Sequence, residues 1–149
     1  MQELYKEKYP TLVYKQGDVR QLQFEDGTFD AVIDKGTLDS ILCGDGSGPN
    51  ADQMINEIYR VLKDDGSYIC ISYGVKESRL PYLKKFNTEK EPIWHLDEPV
   101  GIAKPTFTTQ APAPSEAKAD KNFHWMYVMR KKQPEPKTAG AGAAQWTKR

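Results

Sequence analysis

The sequence predicts an α/β protein built on a parallel sheet with crossover helices. Short apolar stretches the length of strands occur at residues 12–18, 27–34 and 67–73. Helical patterns separate the last two of these stretches, and an amphipathic helix leads directly into residues 67–73. Strands that alternate with helices are typical of a parallel sheet whose crossovers are helical.

The first half of the chain supplies the elements of that sheet. A helix in the first nine residues is expected to stop at Pro10, and the strand at residues 12–18 ends at Gly17 and Asp18. The strand at residues 27–34 has an apolar centre on both faces, as a covered parallel strand should. A short helix then runs from Thr37 to about Leu42.

The amphipathic helix is predicted to begin at Asn50, which can act as its N-cap with Gln53 at the capping-box position. Gly66 is expected to end it before the strand at residues 67–73. Its apolar positions fall on one helical face: Met54, Ile55, Ile58, Val61 and Leu62.

The second half of the chain changes in character. A helix with Pro81 near its first turn is predicted at residues 78–86, and strands at 92–101 and 122–132 suggest an antiparallel hairpin at one sheet edge. The region at 104–121 is rich in Pro, Ala and Lys and is predicted to be a flexible loop. Residues 133–149 are predicted to be a disordered tail, which leaves a domain of residues 1–132.

Charge and composition exclude several classes of partner. Lys and Arg together number 21, as do Asp and Glu, so a nucleic-acid or anionic-membrane protein is not expected. No apolar run reaches the length of about 20 residues that spans a bilayer, and the charged N-terminus lacks the apolar core of a signal peptide. His95 and His124 are isolated, so no metal site is predicted. These observations predict a cytoplasmic location.

Three predicted strand ends carry the candidate site, because ligands of open parallel sheets bind beyond the carboxyl ends of the strands. These ends are Asp18-Val19, Asp34-Lys35-Gly36 and Ser72-Tyr73-Gly74. A carboxylate there can accept a hydrogen bond from the amine or hydroxyl of a nucleoside, while a neighbouring backbone N–H donates to a ring nitrogen. A single Asp in a turn is also a common turn-former, so the residues alone leave both readings open.

Four motifs resemble those of class I S-adenosylmethionine-dependent methyltransferases. They are D-V-R at 18–20, F-D-A-V-I-D-K-G-T-L-D at 29–39, R-V-L-K-D-D-G at 60–66 and F-H-W-M-Y-V-M at 123–129. More closely, the chain resembles the branch that includes lysine methyltransferases of translation elongation factor 1-alpha. The resemblance extends over residues 1 to about 132, and it implies a Rossmann-like methyltransferase sheet.

The resemblance implies S-adenosylmethionine as the cofactor and a protein lysine as the methyl acceptor. Asp18 and Val19 would hold the adenine, the first through its carboxylate and the second through its N–H. Lys35 matches the family's cofactor-contacting lysine, and Gly36 would lie beside it at the opening of the site. Methyl transfer is an in-line displacement, so positioning supplies most of the catalysis.

Asp34 and Asp39 are the candidate catalytic residues. A lysine must lose its proton before it attacks, and a carboxylate can first attract its ammonium group. Either Asp34 or Asp39 could serve in this way. An exposed helix carboxylate without a catalytic role is an equally good interpretation of Asp39.

The chain also departs from the family pattern. The family holds the methionine and ribose of the cofactor with a glycine-rich loop after the first strand and an acidic residue after the second. No E/D-x-G-x-G precedes Asp18, so we predict a partial sheet that starts at the family's third strand. The strand at 27–34 would then have an unpaired apolar edge.

Three explanations of this departure stay open. The sequence can be part of a longer methyltransferase, or a partner chain can supply the missing strands and cover the open edge. The third explanation is a catalytically inactive relative that keeps the fold as an interaction surface.

Overall fold

The computed structural model describes residues 8–84, 94–104 and 123–132. Most of the predicted loop at 104–121 and the whole predicted tail at 133–149 lie outside these residues, as does most of the predicted first helix. The elements are β1 (Phe29–Lys35), α1 (Thr37–Leu42), α2 (Ser47–Val61), β2 (Leu62–Ser72), α3 (Lys76–Lys84), β3 (Trp94–Leu96), β4 (Val100–Ala103) and β5 (Phe123–Lys131).

The sheet has the order β1-β2-β5-β3, and β4 also pairs with β5. β1 and β2 are parallel, whereas β5 is antiparallel to β2, β3 and β4. The predicted α/β class with antiparallel strands at one side is therefore confirmed. The predicted strand at 92–101 is divided at residues 97–99, where Pro99 has no N–H to donate to β5.

The hydrophobic core lies on one face of this sheet. The predicted apolar face of α2 is confirmed, since all five of its members are buried. They pack with side chains that alternate along β2 and β5, as the two-residue period of a strand requires. The buried strand side chains on this face include Tyr68, Cys70, Tyr127 and Met129.

The opposite face of β1 is open among the residues that the structure describes. Ile33, at the centre of the strand, has 70% of its surface exposed. Ile69 and Ile71, its neighbours on β2 in the same alternation, are only half-buried. The prediction that residues 27–34 are covered on both faces is therefore wrong for the described chain, in which β1 pairs with β2 alone.

The strand predicted at residues 12–18 is also wrong. Its backbone makes no ladder, and its end takes part only in an isolated bridge between Asp18 and Gln21. Leu12 and Val13 are 50% and 80% exposed. A strand needs a neighbour to satisfy its N–H and C=O groups, and the described residues place none beside this segment.

Both ends of the amphipathic helix differ from the predicted ends. The helix α2 begins at Ser47, because Gly46 adopts a left-handed φ of 68° and serves as its N-cap. Asn50 lies within the first turn, where its side-chain amide donates to the carbonyl of Asp45 at 3.0 Å. The predicted N-cap at Asn50 is therefore wrong, and Pro49 is tolerated there because first-turn N–H groups have no helical partner.

The C-terminal end of α2 passes into β2 without a loop. Gly66, predicted to end the helix, lies within β2 instead. A Cβ at this position would lie 2.8 Å from the carbonyl oxygen of Lys63, so the close backbone approach requires glycine. The next helix, α3, begins before the predicted residue 78 and carries Pro81 in its interior rather than its first turn.

Arg60 fastens the segment before β1 to α2. Its guanidinium donates to the carbonyls of Leu22 and Phe24 at 2.9 and 2.8 Å, and to the carboxylate of Asp26 at 2.7 Å. Glu57 accepts from Arg60 and from the N–H of Leu22. The arginine of the R-V-L motif is thus a clamp between two distant parts of the chain.

Removing this clamp should loosen the segment at 22–26. In Arg60→Gln, amide exchange of these residues should accelerate by about fivefold or more, because several hydrogen bonds close that segment. Hydrogen-exchange mass spectrometry measures the change. Lys63→Gln is the control, because Lys63 pairs with the exposed Asp30 and not with the segment at 22–26 in the part of the chain that the structure describes. Equal exchange in the two variants would contradict the clamp.

Candidate active site

The register of the sheet gathers several strand ends at one edge. Lys35 of β1 lies opposite Ile71 of β2, and Ser72 lies opposite Trp125 at the start of β5. The end of β4 reaches the same edge, where Ala103 lies opposite Phe123. Two of the three predicted strand ends, residues 34–36 and 72–74, are therefore neighbours at the edge where ligands of such sheets bind. We call this edge, from residues 34–39 across 72–74 to 123–125, the mouth.

Asp34 is a buried carboxylate, only 4% exposed, at the end of β1. Its oxygens accept from the N–H groups of Thr37 at 2.7 Å and Leu38 at 3.1 Å. The hydroxyl of Tyr68 also donates to it at 3.1 Å, and the Cys70 thiol lies at 3.7 Å. Asp34 thus caps the first turn of α1 and joins it to β2.

The environment of Asp34 keeps its donors protonated. Burial, reinforced by the neighbouring carboxylate, raises the pKa of the Cys70 thiol far above its ordinary value. Burial likewise raises the pKa of the Tyr68 hydroxyl. Both groups therefore stay neutral, so they continue to donate to Asp34 and do not become nucleophiles.

Asp39 is held in a network that spans three elements. Its carboxylate accepts from the Ser72 hydroxyl, from the Tyr73 N–H at 2.8 Å and from Arg79 Nε at 2.9 Å. Both Asp39 and Arg79 have side chains about one-seventh exposed. The interpretation of Asp39 as an exposed helix carboxylate is therefore wrong, because it ties α1 to the end of β2 and to α3.

Burial acts to raise the pKa of Asp39, but hydrogen bonds from Ser72 and Tyr73 outweigh it. With the Arg79 charge, they hold the pKa below its ordinary value. Asp39 is therefore ionised at neutral pH.

Gly74 makes room for this network. A Cβ there would lie 2.3 Å from the guanidinium carbon of Arg79, so that side chain lies directly on the backbone. The Gly74 N–H donates to the Ser72 hydroxyl at 3.0 Å. Ser72 belongs to a predicted strand end, but the sequence did not predict its bond to Asp39 or the presence of Arg79 in the site. An S-Y-G turn before a helical arginine is the signal that could have found Arg79.

Lys35 and Gly36 form the turn at the mouth. The Lys35 side chain is exposed, and Gly36 adopts a left-handed φ of 80°. The Gly36 N–H donates to the carbonyl of Ile71 at 3.0 Å, which extends the pairing of β1 and β2 by one residue. A Cβ at Gly36 would lie 3.8 Å from the ring of Tyr73, so a side chain at this position would be in van der Waals contact with that ring.

Asp18 and Val19 lie in the segment before β1. The Asp18 carboxylate accepts from the N–H and the guanidinium of Arg20, at 2.9 and 2.7 Å. The hydrogen bonds from Arg20 lower the pKa of Asp18 to about 2. Arg20 also donates to the side chain of Asn50 at 3.1 Å, which links Asp18 to the first turn of α2.

The surroundings of Asp18 fit the base end of S-adenosylmethionine. Its neighbours Gly17 and Val19 line a cavity of about 640 Å³, whose walls include Phe24 and Phe29. A cavity with aromatic and polar side chains in its walls suits an adenine ring, while both oxygens of the neighbouring Asp18 accept from Arg20. Within the residues described here, no three His, Cys, Asp or Glu side chains are grouped to hold a metal ion. None of the described helices is long and apolar enough to cross a membrane.

The sheet is of the kind found in class I methyltransferases, as solved structures show. PH0226 protein from Pyrococcus horikoshii matches 88% of this chain and 65% of its own at a TM-score of 0.54 and 20% identity. A SAM-dependent methyltransferase from Methanosarcina mazei matches 80% of this chain and 67% of its own, at a TM-score of 0.51 and 16% identity. At these identities the likeness establishes a Rossmann-like methyltransferase fold.

Sequence comparisons show a similarity to particular methyltransferases over the first half of the chain. A family model described as a methyltransferase domain matches residues 1–70. The eEF1A lysine and N-terminal methyltransferase of Xenopus laevis is 38% identical over 74 residues, which cover 48% of this chain and 11% of that protein. EEF1A lysine methyltransferase 4 of Bos taurus is 41% identical over 78 residues, or 47% of this chain and 31% of that protein.

These matches confirm the resemblance to class I S-adenosylmethionine-dependent methyltransferases and to their eEF1A lysine methyltransferase branch. The matched region spans about a tenth to a third of the length of these curated relatives.

The capping role of Asp34 can be tested by removing one of its two acceptor oxygens. Asp34→Asn should lower the free energy of unfolding by about 2 kcal/mol, because an amide offers one acceptor oxygen to several donors. Urea unfolding measures the difference. Asp30→Asn, on the same strand but highly exposed, is the control and should leave stability unchanged. If Asp34→Asn kept full stability and abolished only methyl transfer, the capping role would be wrong.

The stability contributed by the Asp39 network should depend on pH. The pKa of Asp39 is lower in the folded chain, so its stabilisation is complete above the ordinary Asp pKa of 3.8. This stabilisation is lost as the pH falls through the pKa that Asp39 has in the folded chain. Asp39→Asn should therefore lower the free energy of unfolding by about 1–2 kcal/mol at pH 7, and the deficit should shrink below about pH 4. A constant deficit between pH 7 and pH 3 would contradict this network.

Proposed function

We propose that this chain provides the acceptor side of an S-adenosylmethionine-dependent methyltransferase site and that the acceptor is a protein lysine. The observation that carries the proposal is the adjacency of residues 34–39 and 72–74 at the carboxyl edge of a methyltransferase sheet. The names of the curated relatives, which are eEF1A lysine methyltransferases, support lysine as the acceptor.

Four residues are proposed to contact the cofactor. Asp18 and Val19 would receive the adenine, and Lys35 and Gly36 would lie along the part of the cofactor that reaches the mouth. The ionised Asp18 and the adjoining apolar cavity support the first pair. The exposure of Lys35 and the open backbone of Gly36 support the second. S-adenosylmethionine supplies a methyl group on a positively charged sulfur, and the chain positions the acceptor.

Asp34 and Asp39 are proposed to act by positioning the mouth. The oxygens of both carboxylates accept hydrogen bonds from within the chain, which supports a structural contribution. Asp34 sets the start of α1, and Asp39 sets the backbone of Tyr73. A direct catalytic role for these two residues stays a prediction.

The open side of β1 supports completion of the sheet by a further segment, from a longer chain or from a partner chain. Ile33 lies in the centre of a methyltransferase strand yet is 70% exposed. The solved neighbours named above each have about a third of their chain outside the matched region. A catalytically inactive subunit completed by a partner chain stays the alternative prediction.

Calorimetric titration with S-adenosylhomocysteine tests the proposed cofactor site. The chain should bind this product through its adenine, and Asp18→Ala should weaken binding by about tenfold, because a hydrogen bond to an ionised acceptor is lost. Asp30→Asn, which changes a highly exposed carboxylate near the start of β1, is the control and should bind normally. Since the pKa of Asp18 is about 2, binding should not change with pH between 5 and 9.

The outcomes separate the candidates. No binding at millimolar ligand would exclude a self-sufficient enzyme. A polypeptide that supplies a strand and a glycine-rich loop could be added to the chain. If the mixture binds S-adenosylhomocysteine and transfers methyl groups to a lysine peptide, the proposed function is supported. Binding restored without transfer to any lysine would favour the inactive subunit. No binding even after completion would overturn both.

A further inference from the structure

Aromatic rings line the mouth beside the turn at Gly36. The Tyr73 ring is 57% exposed, and a Cβ at Gly36 would lie 3.8 Å from it. The ring meets His124 edge to face, with ring centroids 4.5 Å apart and an interplanar angle of 86°. Trp125, the next residue on β5, lies on the other face of the strand and packs against the core. Tyr73 and His124 thus form an aromatic pair, which we call the aromatic wall, at the mouth.

The Tyr73 ring of this wall already lies near an ammonium group of the chain itself. Lys104 Nζ lies 5.8 Å from the centroid of Tyr73. An aromatic face attracts a cation at such distances through its quadrupole. The wall therefore presents the electron-rich surface that an alkylammonium group favours.

The remaining aromatic residues near the sheet have a different role. Trp94 and Tyr127 are 1% and 0% exposed and belong to the hydrophobic core. Trp125 is half-buried and has Lys76 over its ring. Tyr73 is the large aromatic of the mouth with more than half of its surface accessible.

The position of Tyr73 is also fixed. Its N–H donates to Asp39 at 2.8 Å, and Asp39 is held by Arg79. The backbone that carries the ring is thus anchored to α1 and α3, while the ring itself faces outward. A preorganised aromatic face costs a ligand less ordering than a mobile one.

We propose that Tyr73, supported by His124, binds the side-chain ammonium of the acceptor lysine and of its methylated products. The inference rests on the proposed function and names the group that selects its substrate. The bound ammonium takes the place of Lys104 over the Tyr73 ring. Lys104 therefore acts as an internal competitor, and removing its charge strengthens binding of the external ammonium.

The test uses tetramethylammonium and trimethyllysine amide, titrated into the full 149-residue chain and followed by NMR. Norleucine amide, which lacks the charge, is the matched control ligand. Tyr73→Leu should weaken binding of both ammonium probes by about two- to fivefold, whereas Tyr73→Phe keeps the ring and should bind like the parent. Lys104→Gln should tighten binding. Circular dichroism checks that the exposed Tyr73 variants keep the fold.

Each outcome decides the inference. Equal affinity of Tyr73→Leu and the parent would overturn it, as would equal shifts with norleucine amide, since the surface would then be merely apolar. Ammonium binding that depends on Tyr73 in a chain without methyl transfer would support the inference and count against the proposed function alone. Lysine methylation with an unchanged KM in Tyr73→Leu would support that function and overturn the inference alone.

Discussion

The buried carboxylate of Asp34 is the contact on which the mouth depends. It ends β1, caps the first turn of α1 and accepts from Tyr68 on β2, so one side chain sets the geometry of three elements. A buried charge is costly unless its hydrogen bonds are satisfied, and here the donors come from both helix and strand. Asp39, in the first turn of α1, likewise accepts hydrogen bonds from other elements, and Arg79 provides the opposite charge. The run D-K-G-T-L-D at residues 34–39 is thus held in place by the carboxylates at its two ends.

Local patterns predicted much of the fold. The strands predicted at 27–34, 67–73 and 122–132 correspond to β1, β2 and β5, because each is an apolar run whose partners lie within the described sheet. Residues 12–18 have the same pattern without such a partner, and pairing decides whether a strand forms. The observed start of α2 differs from the predicted one because it depends on the left-handed backbone of Gly46. The side-chain pattern of Asn50 and Gln53 does not reveal that conformation.

The site was predicted less completely than the fold. Asp18, Asp34 and Asp39 could be found because strand ends and motifs mark them in the sequence. The partners of Asp39 could not be assigned to it, since its hydrogen bonds cross 33 to 40 positions along the chain. Only the parallel register of β1 and β2 brings Ser72 and Tyr73 beside residues 34–39. The distinction between a carboxylate that meets a substrate and one that holds backbone N–H groups is therefore visible only in three dimensions.

The open face of β1 and the mouth are mechanically connected. Ile33 and Asp34 are consecutive, so their side chains lie on opposite faces of one strand, with Ile33 exposed and Asp34 buried. Whatever covers Ile33 also fixes the position of β1 and therefore of the carboxylate that caps α1. An uncovered strand keeps greater freedom because it pairs on one side only. Completion of the sheet would thus act on the mouth by restricting β1, in addition to any contacts that the added segment supplies.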